Sequence, residues 1–437
     1  MVRGVLFMKH IESTLSLLNS SFSVYHAAKN IEAKLLEAGY KEISEASESK
    51  LEKGGRYYCK RNGTSIIAFK IPEADVSSFQ IAATHNDSPS FRLKPNPVLT
   101  YKNLVSLNVE PYGGMIMSTW LDKPLSFAGR VFVKKEDKVE ARLLNVDEDL
   151  LIIPNVCIHM NREVNNGYHF NPAKDLIPLL GVGGETFDFE AFLSEKLGLK
   201  ENEKILSHDL YLYNREKAKL IGLGKPFLAG GRLDDLASAY TVLQGFLEAE
   251  EGEHVSVFAS FDNEEVGSLT RQGANSDFLQ LTLKRIAKGL GKNFAEMTAR
   301  SFLFSVDNGH ANHPNHPELS DQTTDVRLNG GIVIKYNAEQ RYTSDGFSSS
   351  IAKLLAEKAG VAYQEYTNRS DLRGGSTLGN LSNAEVSLAC CDIGLPQLAM
   401  HSSYELLGKE DLEAMVLFMK TYFEKEVEIA GQNAEIR

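Results

Sequence analysis

Four cysteines, a deficit of positive charge and the lack of a long apolar run exclude several classes of protein. None of the cysteines among the 437 residues forms a Cys-x-x-Cys pair, which argues against a disulfide framework or a zinc knuckle. The 47 basic and 58 acidic residues give a formal net charge of −11, so we expect neither nucleic acid nor a membrane surface as a partner. No stretch approaches the roughly 18 apolar residues that span a bilayer. The apolar run at residues 5–8 is too short for a signal peptide, and the sequence predicts a cytoplasmic protein.

The composition is that of a globular protein with two or three structural units, since hydrophobic residues make up 43% and charged residues 24%. Apolar residues follow a helical spacing over 8–39. The periodicity then predicts strands at 65–69, 79–84, 254–261, 302–306, 332–336 and 385–390 and helices at 236–251, 277–290, 348–359 and 409–424. This alternation indicates a three-layer α/β/α domain. Short β-rich runs at 95–225 indicate an inserted β-rich domain that separates its two parts, 1–94 and 226–437.

Residues that suit metal binding or acid–base chemistry follow two of the predicted strands. His85 leaves the strand at 79–84, and Asp87, two residues further on, can accept the second ring N–H of the imidazole. Glu264 and Glu265 follow the strand at 254–261. Adjacent carboxylates repel each other unless a positive charge compensates them. One of the pair can bind a divalent metal while its neighbour acts as a general base.

Three further positions have simpler interpretations when each is taken alone. Asp234 and Asp235 precede a helix, where an aspartate is commonly a cap. Asp307 follows the strand at 302–306 and is well placed as a metal ligand. The three histidines at 310, 313 and 316 either support the metal ligands or are exposed. His401 alone is typical of a core or surface histidine. Taken together, two histidines and three acids at strand ends match the ligands of a hydrolase with two zinc ions, and cobalt or manganese accepts the same set.

No competing catalytic motif is present in the sequence. It contains no Gly-x-Ser-x-Gly elbow, no Walker loop and no Gly-x-Gly-x-x-Gly after a predicted strand. Acyl-serine, nucleotide and dinucleotide chemistry are therefore disfavoured.

Seven motifs, in order over nearly the whole chain, resemble the aspartyl aminopeptidase family of dinuclear zinc peptidases. They lie at residues 84–89, 232–235, 262–268, 313–315, 337–342, 374–379 and 396–402. The resemblance implies one zinc ion bound by His85, Asp234 and Asp307. It implies a second zinc ion bound by Asp234, Glu265 and His401. It also makes Glu264 the general base and proton donor, and it gives Asp87 the role of orienting His85.

The resemblance further implies how the chain assembles. The inserted domain would be a dimerisation domain, and His159 would reach into the active site of a neighbouring subunit. Related chains form tetrahedral dodecamers that admit only peptides, so we expect self-association and peptide substrates with free N-termini. The family often has Asn where this chain has Asp235, which leaves open whether Asp234 or Asp235 bridges the two metals.

The implied activity is hydrolysis of the N-terminal residue by water that two zinc ions activate, with a preference for Asp or Glu. Such a preference needs a cation in the pocket, which Lys335 or Arg341 could supply. The loop at 374–377 either donates backbone N–H groups to the substrate or is a plain turn. The alternatives are a preference for neutral, leucine-like residues, a carboxypeptidase or dipeptidase on the same scaffold, and a non-catalytic shell protein. The presence of all five ligands and Glu264 disfavours the last.

Overall fold

The computed structural model describes residues 2–47, 50–183, 187–372, 374–375 and 377–437, with side chains from His10 onward. The apolar run at residues 5–8 and Ser376 of the 374–379 motif therefore lie outside the described side chains. The helices in the described residues are α1 Val2–Ser20, α2 Val24–Glu37, α3 Pro172–Asp175, α4 Phe189–Leu197, α5 Leu233–Glu248, α6 Phe278–Gly289, α7 Phe294–Ala299, α8 Gly346–Ala359, α9 Leu378–Glu385 and α10 Lys409–Glu424. None of these helices is long and apolar enough to cross a membrane.

The strands of the described chain form three larger sheets and a C-terminal hairpin. They are β1 Lys41–Glu42, β2 Arg56–Arg61, β3 Ser65–Lys70, β4 Phe79–His85, β5 Ser90–Tyr101, β6 Leu104–Tyr112, β7 Leu125–Lys135, β8 Lys138–Asn145, β9 Leu179–Val182, β10 Glu203–Asn214, β11 Lys219–Ile221, β12 Phe227–Gly230, β13 Val255–Phe261, β14 Phe302–Val306, β15 Gly309–His310, β16 Ile332–Tyr336, β17 Tyr363–Thr367, β18 Ala389–Gly394, β19 Pro396–Leu398, β20 Glu405–Gly408, β21 Val427–Ala430 and β22 Asn433–Ile436. The largest sheet has the order β1-β2-β3-β13-β4-β14-β18-β16-β17.

Helices cover both faces of this central sheet. Alternate residues of β3 point to opposite cores, since Ile66 and Ala68 join one buried cluster and Ile67 and Phe69 join the other. Helices α1, α2, α5, α8 and α10 contribute to the first cluster, and α6, α7 and α9 contribute to the second. The predicted three-layer α/β/α architecture is confirmed.

The middle of the sheet places the carboxyl ends of three parallel strands side by side. Strand β4 pairs in parallel with β13 on one side and with β14 on the other, so that Phe261 lies opposite His85. All residues of these three strands are buried, as is typical of a parallel sheet with helices on both faces. The segments that follow the three strands therefore emerge at one edge.

The inserted region forms a second sheet with the order β8-β7-β10-β5-β6-β9. It has its own apolar core, which includes Phe91, Trp120 and Phe127. Its strands run from Ser90 to Asn214, and the limits of 95–225 for a separate domain stay a prediction. A third sheet, β11-β12-β20-β19-β15, lies beside the start of α5.

One strand predicted from the sequence begins too early. The apolar stretch at 385–390 predicts a strand, but α9 continues to Glu385 and β18 begins only at Ala389. The helix keeps Leu378 buried in the second core, and Val386 packs into the same core after the helix ends. Leu388 packs against the same core, so the stretch before Ala389 is apolar because of these core contacts and not because it is a strand.

Candidate active site

The side chains that the sequence singled out as metal ligands meet at the edge where the parallel strands end. His85 ends β4, Glu264 and Glu265 begin a short turn after β13, and Asp307 follows β14 directly. Asp234 lies at the start of α5, and His401 lies between β19 and β20. Donor atoms within 4.8 Å of one another form three overlapping groups among the described residues: His85 with Asp234, Asp235 and Asp307; His85 with Glu264 and Glu265; and Asp234 with Glu265 and His401.

Asp234 lies at the centre of the cluster, with one carboxylate oxygen toward each histidine. Its Oδ1 is 3.3 Å from His85 Nε2, and its Oδ2 is 3.3 Å from His401 Nε2. Asp307 Oδ1 lies 3.6 Å from the same nitrogen of His85. Glu265 Oε2 lies 3.5 Å from that of His401. The cluster therefore has two halves that share Asp234.

Two buried carboxylate oxygens in this cluster have no hydrogen-bond partner among the described residues, namely Asp234 Oδ1 and Glu265 Oε1. An unpaired buried carboxylate is costly unless a cation compensates it. Imidazole nitrogens and carboxylate oxygens are ligands that zinc accepts. The residues present therefore fit a metal centre, and they fit it in both halves of the cluster.

The ionisation of the cluster reflects its excess of buried negative charge. Burial raises the pKa of Glu264 to about 8, and it raises the pKa of Glu265 well above the usual value for glutamate. Burial opposes protonation of His401, but contact with Asp234 and the charge of Glu265 raise its pKa to about 10. The carboxylates thus favour positive charge at the point where a metal ion would lie.

Asp87 lies behind His85. Its backbone carbonyl oxygen is 3.2 Å and its Oδ1 3.3 Å from His85 Nδ1. Its two oxygens also accept the backbone N–H groups of Glu264 and Glu265, each at 3.2 Å. Asp87 is therefore placed to hold the His85 ring so that its Nε2 atom points toward Asp234 and Asp307.

Asp235 is also buried in the cluster, but its oxygens face the main chain. Oδ2 accepts the N–H of His85 at 3.3 Å, and Oδ1 accepts the N–H of Asn308 at 3.2 Å. Both oxygens are thus engaged by backbone donors, whereas those of Asp234 face the imidazoles.

The residues predicted to bind substrate lie at three different places. Lys335 is buried and lines the same cleft as His85, and its Nζ donates to the carbonyl of Asp307 at 2.8 Å. Arg341 lies in an adjoining pocket and pairs with Glu339 at 3.1 Å. His159 is exposed in a turn of the inserted region. Within the described part of a single chain, the structure brings only Lys335 of these three to the metal cluster.

Other residues of the sequence motifs also surround the cleft. Gly375 and Thr377 of the 374–377 loop line it, and so does His310. His313 and His316 are exposed, and their rings lie 5.3 Å apart at the surface. Of the three nearby histidines, His310 thus reaches the cleft.

Sequence analysis missed two residues that contact the cluster from other sheets. Glu405, at the start of β20, is buried beneath Asp234 and His401 and accepts backbone hydrogen bonds from both. Tyr112, at the end of β6, donates its hydroxyl to Asp87 Oδ2 at 2.6 Å. Glu405 could have been noticed in the sequence as an acid that begins the apolar stretch at 405–408. Tyr112 is one of 16 tyrosines, and nothing in the sequence distinguishes it from the others.

A three-layer α/β fold with a buried carboxylate–imidazole cluster at the ends of its parallel strands defines a metal-dependent hydrolase. Residues 17–423 match the family model described as Aminopeptidase I zinc metalloprotease (M18). A relative from Clostridium novyi (strain NT), named Probable M18 family aminopeptidase 2, is 40% identical over 415 residues, which cover 92% of this chain and 96% of the relative. The chain belongs to the M18 family of zinc metalloaminopeptidases, and the predicted family resemblance is confirmed.

Solved structures show the same fold. The chain is similar to one described as "Cryo-EM structure of the Ape4 and Nbr1 complex", with a TM-score of 0.92 and 34% identity, covering 96% of this chain and 86% of that chain. It also shares the fold of one described as "Structure of S. cerevesiae mApe1 dodecamer", with a TM-score of 0.83, 23% identity, and coverage of 94% and 96%.

Proposed function

We propose that this M18 aminopeptidase uses two metal ions, which Asp234 bridges, to remove acidic residues from the N-termini of peptides. One ion would be bound by His85, Asp234 and Asp307. The other would be bound by Asp234, Glu265 and His401. The observation that carries the proposal is the placement of the two oxygens of Asp234, each 3.3 Å from the Nε2 atom of a different histidine. Asp235 does not suit the bridge, because both of its oxygens accept backbone N–H groups.

Glu264 is the proposed general base. It lines the cleft beside His85 and Asp307, next to the proposed ligand Glu265, so its carboxylate is placed to accept a proton from water in the cleft. When bound, the two ions supply Lewis-acid activation of water and of the scissile carbonyl. Glu264 then takes a proton from the attacking water and gives it to the leaving amine.

Lys335 is the proposed source of the acidic preference. It is buried, and two of its three polar contacts are long, at 3.5 Å to Asp307 Oδ2 and 3.4 Å to the carbonyl of Asn308. A substrate carboxylate in the cleft can replace these long contacts with a charge-assisted hydrogen bond. Arg341 is already paired in the adjoining pocket, which makes Lys335 the better candidate of the two cations.

The experiment is hydrolysis of aspartyl-, glutamyl-, leucyl- and N-acetyl-aspartyl-p-nitroanilide, before and after chelation, with zinc, cobalt or manganese added back. We expect metal-dependent cleavage of the two free acidic substrates and no cleavage of the acetylated one. Faster cleavage of the leucyl substrate would still indicate an aminopeptidase, but it would contradict the proposed role of Lys335. Activity that survives complete removal of metal would contradict the two-ion centre.

We further propose that the inserted region at 95–225 is a dimerisation domain, that the chain assembles into a tetrahedral dodecamer, and that His159 completes the active site of a neighbouring subunit. The solved structure described as a dodecamer supports the assembly by its similar fold. The turn that carries His159 also exposes the apolar side chains of Ile158 and Met160, the latter 84% exposed. Light scattering after size-exclusion chromatography tests the proposal, which a monomeric chain would contradict.

A further inference from the structure

The inserted sheet contacts the candidate metal centre through the residues at which strand β6 ends. Tyr112 is the last residue of that strand, and Gly113 and Gly114 follow it directly. The segment 112–114 is 25 positions from Asp87 at its nearest contact, whereas Gly114 and His401 are 287 positions apart. It nevertheless forms hydrogen bonds to both halves of the cluster.

Tyr112 contacts the half that contains His85. Its hydroxyl donates to Asp87 Oδ2 at 2.6 Å and accepts from Asn263 Nδ2 at 2.8 Å. His85 Nδ1 in turn lies 3.2 Å from the backbone carbonyl oxygen of Asp87 and 3.3 Å from its Oδ1. The tyrosine thus fixes the residue whose oxygen atoms face the second ring nitrogen of this histidine.

Gly114 contacts the half that contains His401. Its carbonyl oxygen lies 2.7 Å from His401 Nδ1, which makes Nδ1 the protonated nitrogen and leaves Nε2 free toward Asp234 and Glu265. A second link joins the same loops, since the N–H of Ile116 donates to the carbonyl of His401 at 2.9 Å.

Gly113 allows the segment to approach this closely. Its φ of +75° is in the left-handed region, and a Cβ at this position would lie 3.1 Å from the Cβ of Glu265. A larger residue would therefore strain the turn and press on a proposed metal ligand at the same time.

We propose that the segment 112–114 of the inserted sheet is a positioning element that orients the histidine of each metal ion, so that both metal affinities depend on the inserted sheet. The inference rests on the proposed two-ion centre. Tyr112 acts through Asp87 on the ion at His85, and the Gly113–Gly114 turn acts on the ion at His401. Loss of such an outer contact typically weakens metal binding by about 10- to 100-fold.

The first test measures the zinc affinity of the purified protein by competition with a chromophoric chelator, together with the visible absorption spectrum of the cobalt-loaded protein. Tyr112→Phe should weaken one of the two binding steps by about 10-fold or more and alter the cobalt spectrum. Tyr211→Phe is the matched control, since its ring lies 5.4 Å from that of Tyr112 and its hydroxyl has no hydrogen bond to Asp87. Equal affinities for the Tyr112→Phe variant and the wild type would overturn the proposal.

The second test separates the two halves of the centre. In a His401→Ala background, which retains the ligands of one ion, Tyr112→Phe should still weaken zinc binding, whereas Gly113→Ala should not. In the otherwise native chain, Gly113→Ala should weaken the other binding step. Gly198→Ala controls for backbone strain alone, because Gly198 has a φ of +62° and a Cβ at that position would have no neighbouring atom within 4 Å. If Gly198→Ala also weakens zinc binding, the effect of Gly113→Ala is not specific to its contact with the metal centre.

These outcomes are distinct from failure of the proposed function. A wild-type chain that binds fewer than two zinc ions would contradict the two-ion centre itself. A wild-type chain that binds two ions with affinities insensitive to both Tyr112→Phe and Gly113→Ala would contradict only the positioning role. Circular dichroism of each variant before zinc is added identifies any that fails to fold.

Discussion

Glu405 accepts the backbone N–H of His401 through its Oε1 atom at 2.7 Å. Its other oxygen accepts the N–H groups of Leu233 and Asp234, at 2.7 and 3.1 Å. One buried carboxylate therefore connects the main chain of the proposed bridging ligand to that of a histidine ligand. Glu405 fixes where these two side chains begin, although it is not one of the proposed ligands.

Replacing Glu405 with Gln should impair both the site and the fold. The amide has one acceptor oxygen where the carboxylate has two, so at least one buried N–H would face an NH₂ group. We expect a loss of about 2–4 kcal/mol in the free energy of unfolding, together with a lower kcat/KM. Urea denaturation and steady-state kinetics measure both, with the exposed Glu201→Gln as a control. Native stability of the Glu405→Gln variant would contradict this role.

The two adjacent aspartates should respond differently to the same substitution. Asp234→Asn removes the charge that faces both imidazoles, so the zinc content should fall below one ion per chain. Asp235→Asn should retain about two ions but lose roughly 1–3 kcal/mol of stability, because it weakens a buried hydrogen bond to the main chain. Elemental analysis of the purified variants decides between them. The reverse pattern would assign the bridge to Asp235.

Glu264→Gln should separate metal binding from catalysis. The amide cannot accept a proton, so kcat should fall by about 10²- to 10⁴-fold, while both ions remain bound. Glu265→Gln is the informative comparison, since it changes a proposed ligand and should lower the metal content. Zinc analysis and initial rates measure the two effects. A Glu264→Gln enzyme with substantial turnover would require a different base.

His159→Phe should lower kcat by about 10²- to 10³-fold without a change in metal content, since a well-aimed donor to the developing oxyanion contributes about 3–4 kcal/mol. His169→Phe replaces another exposed histidine of the inserted region and serves as the control. Co-assembly of His159→Phe with Glu264→Gln chains should restore activity, because each supplies the group that its neighbour lacks. Hybrids without such recovery would mean that His159 does not act between subunits.

His10 should make the stability of the helical layer depend on pH. Hydrogen bonds that His10 donates to the carboxylates of Glu248 and Glu413 raise its pKa from 6.5 to about 9, and they connect α1 to α5 and α10. A group whose pKa is raised on folding stabilises the fold fully below its unfolded pKa, and this contribution is lost as pH rises through the folded value. The shift corresponds to roughly 3 kcal/mol. His10→Gln should therefore lower the melting temperature at pH 6 but have little effect at pH 10, and a deficit that is the same at both pH values would contradict the assignment.

The layers of the fold and the meeting of the candidate ligands could be predicted because both follow from strand ends. Three of the candidate ligands end or closely follow a buried strand, namely His85, Glu265 and Asp307. Because these strands are parallel neighbours, such residues meet at one edge of the sheet. The predicted helix at 409–424 matches α10, since a regular apolar spacing defines both of its ends. The catalytic roles of these residues stay predictions.

The remaining contacts could not be predicted because they depend on how two antiparallel sheets dock against the central sheet. Tyr112 and Glu405 reach the cluster from β6 and β20, and no local pattern indicates where those strands dock. The ammonium of Lys335 is another example. Its position in a strand suggested a pocket cation, but only the packed structure shows that it also contacts Asp307.

The location of β4 between β13 and β14 has a consequence for how the protein is made. A ribosome that adds about 5–20 residues per second needs on the order of 10–30 s to proceed from His85 to β13, and longer to reach β14. During this time a strand of seven buried residues has neither of its neighbours, while the whole sheet that contains Tyr112 has left the ribosome. The inserted sheet can therefore fold before the central sheet closes. The ligands proposed for one ion are complete once translation has passed Asp307, whereas those proposed for the other ion wait for His401.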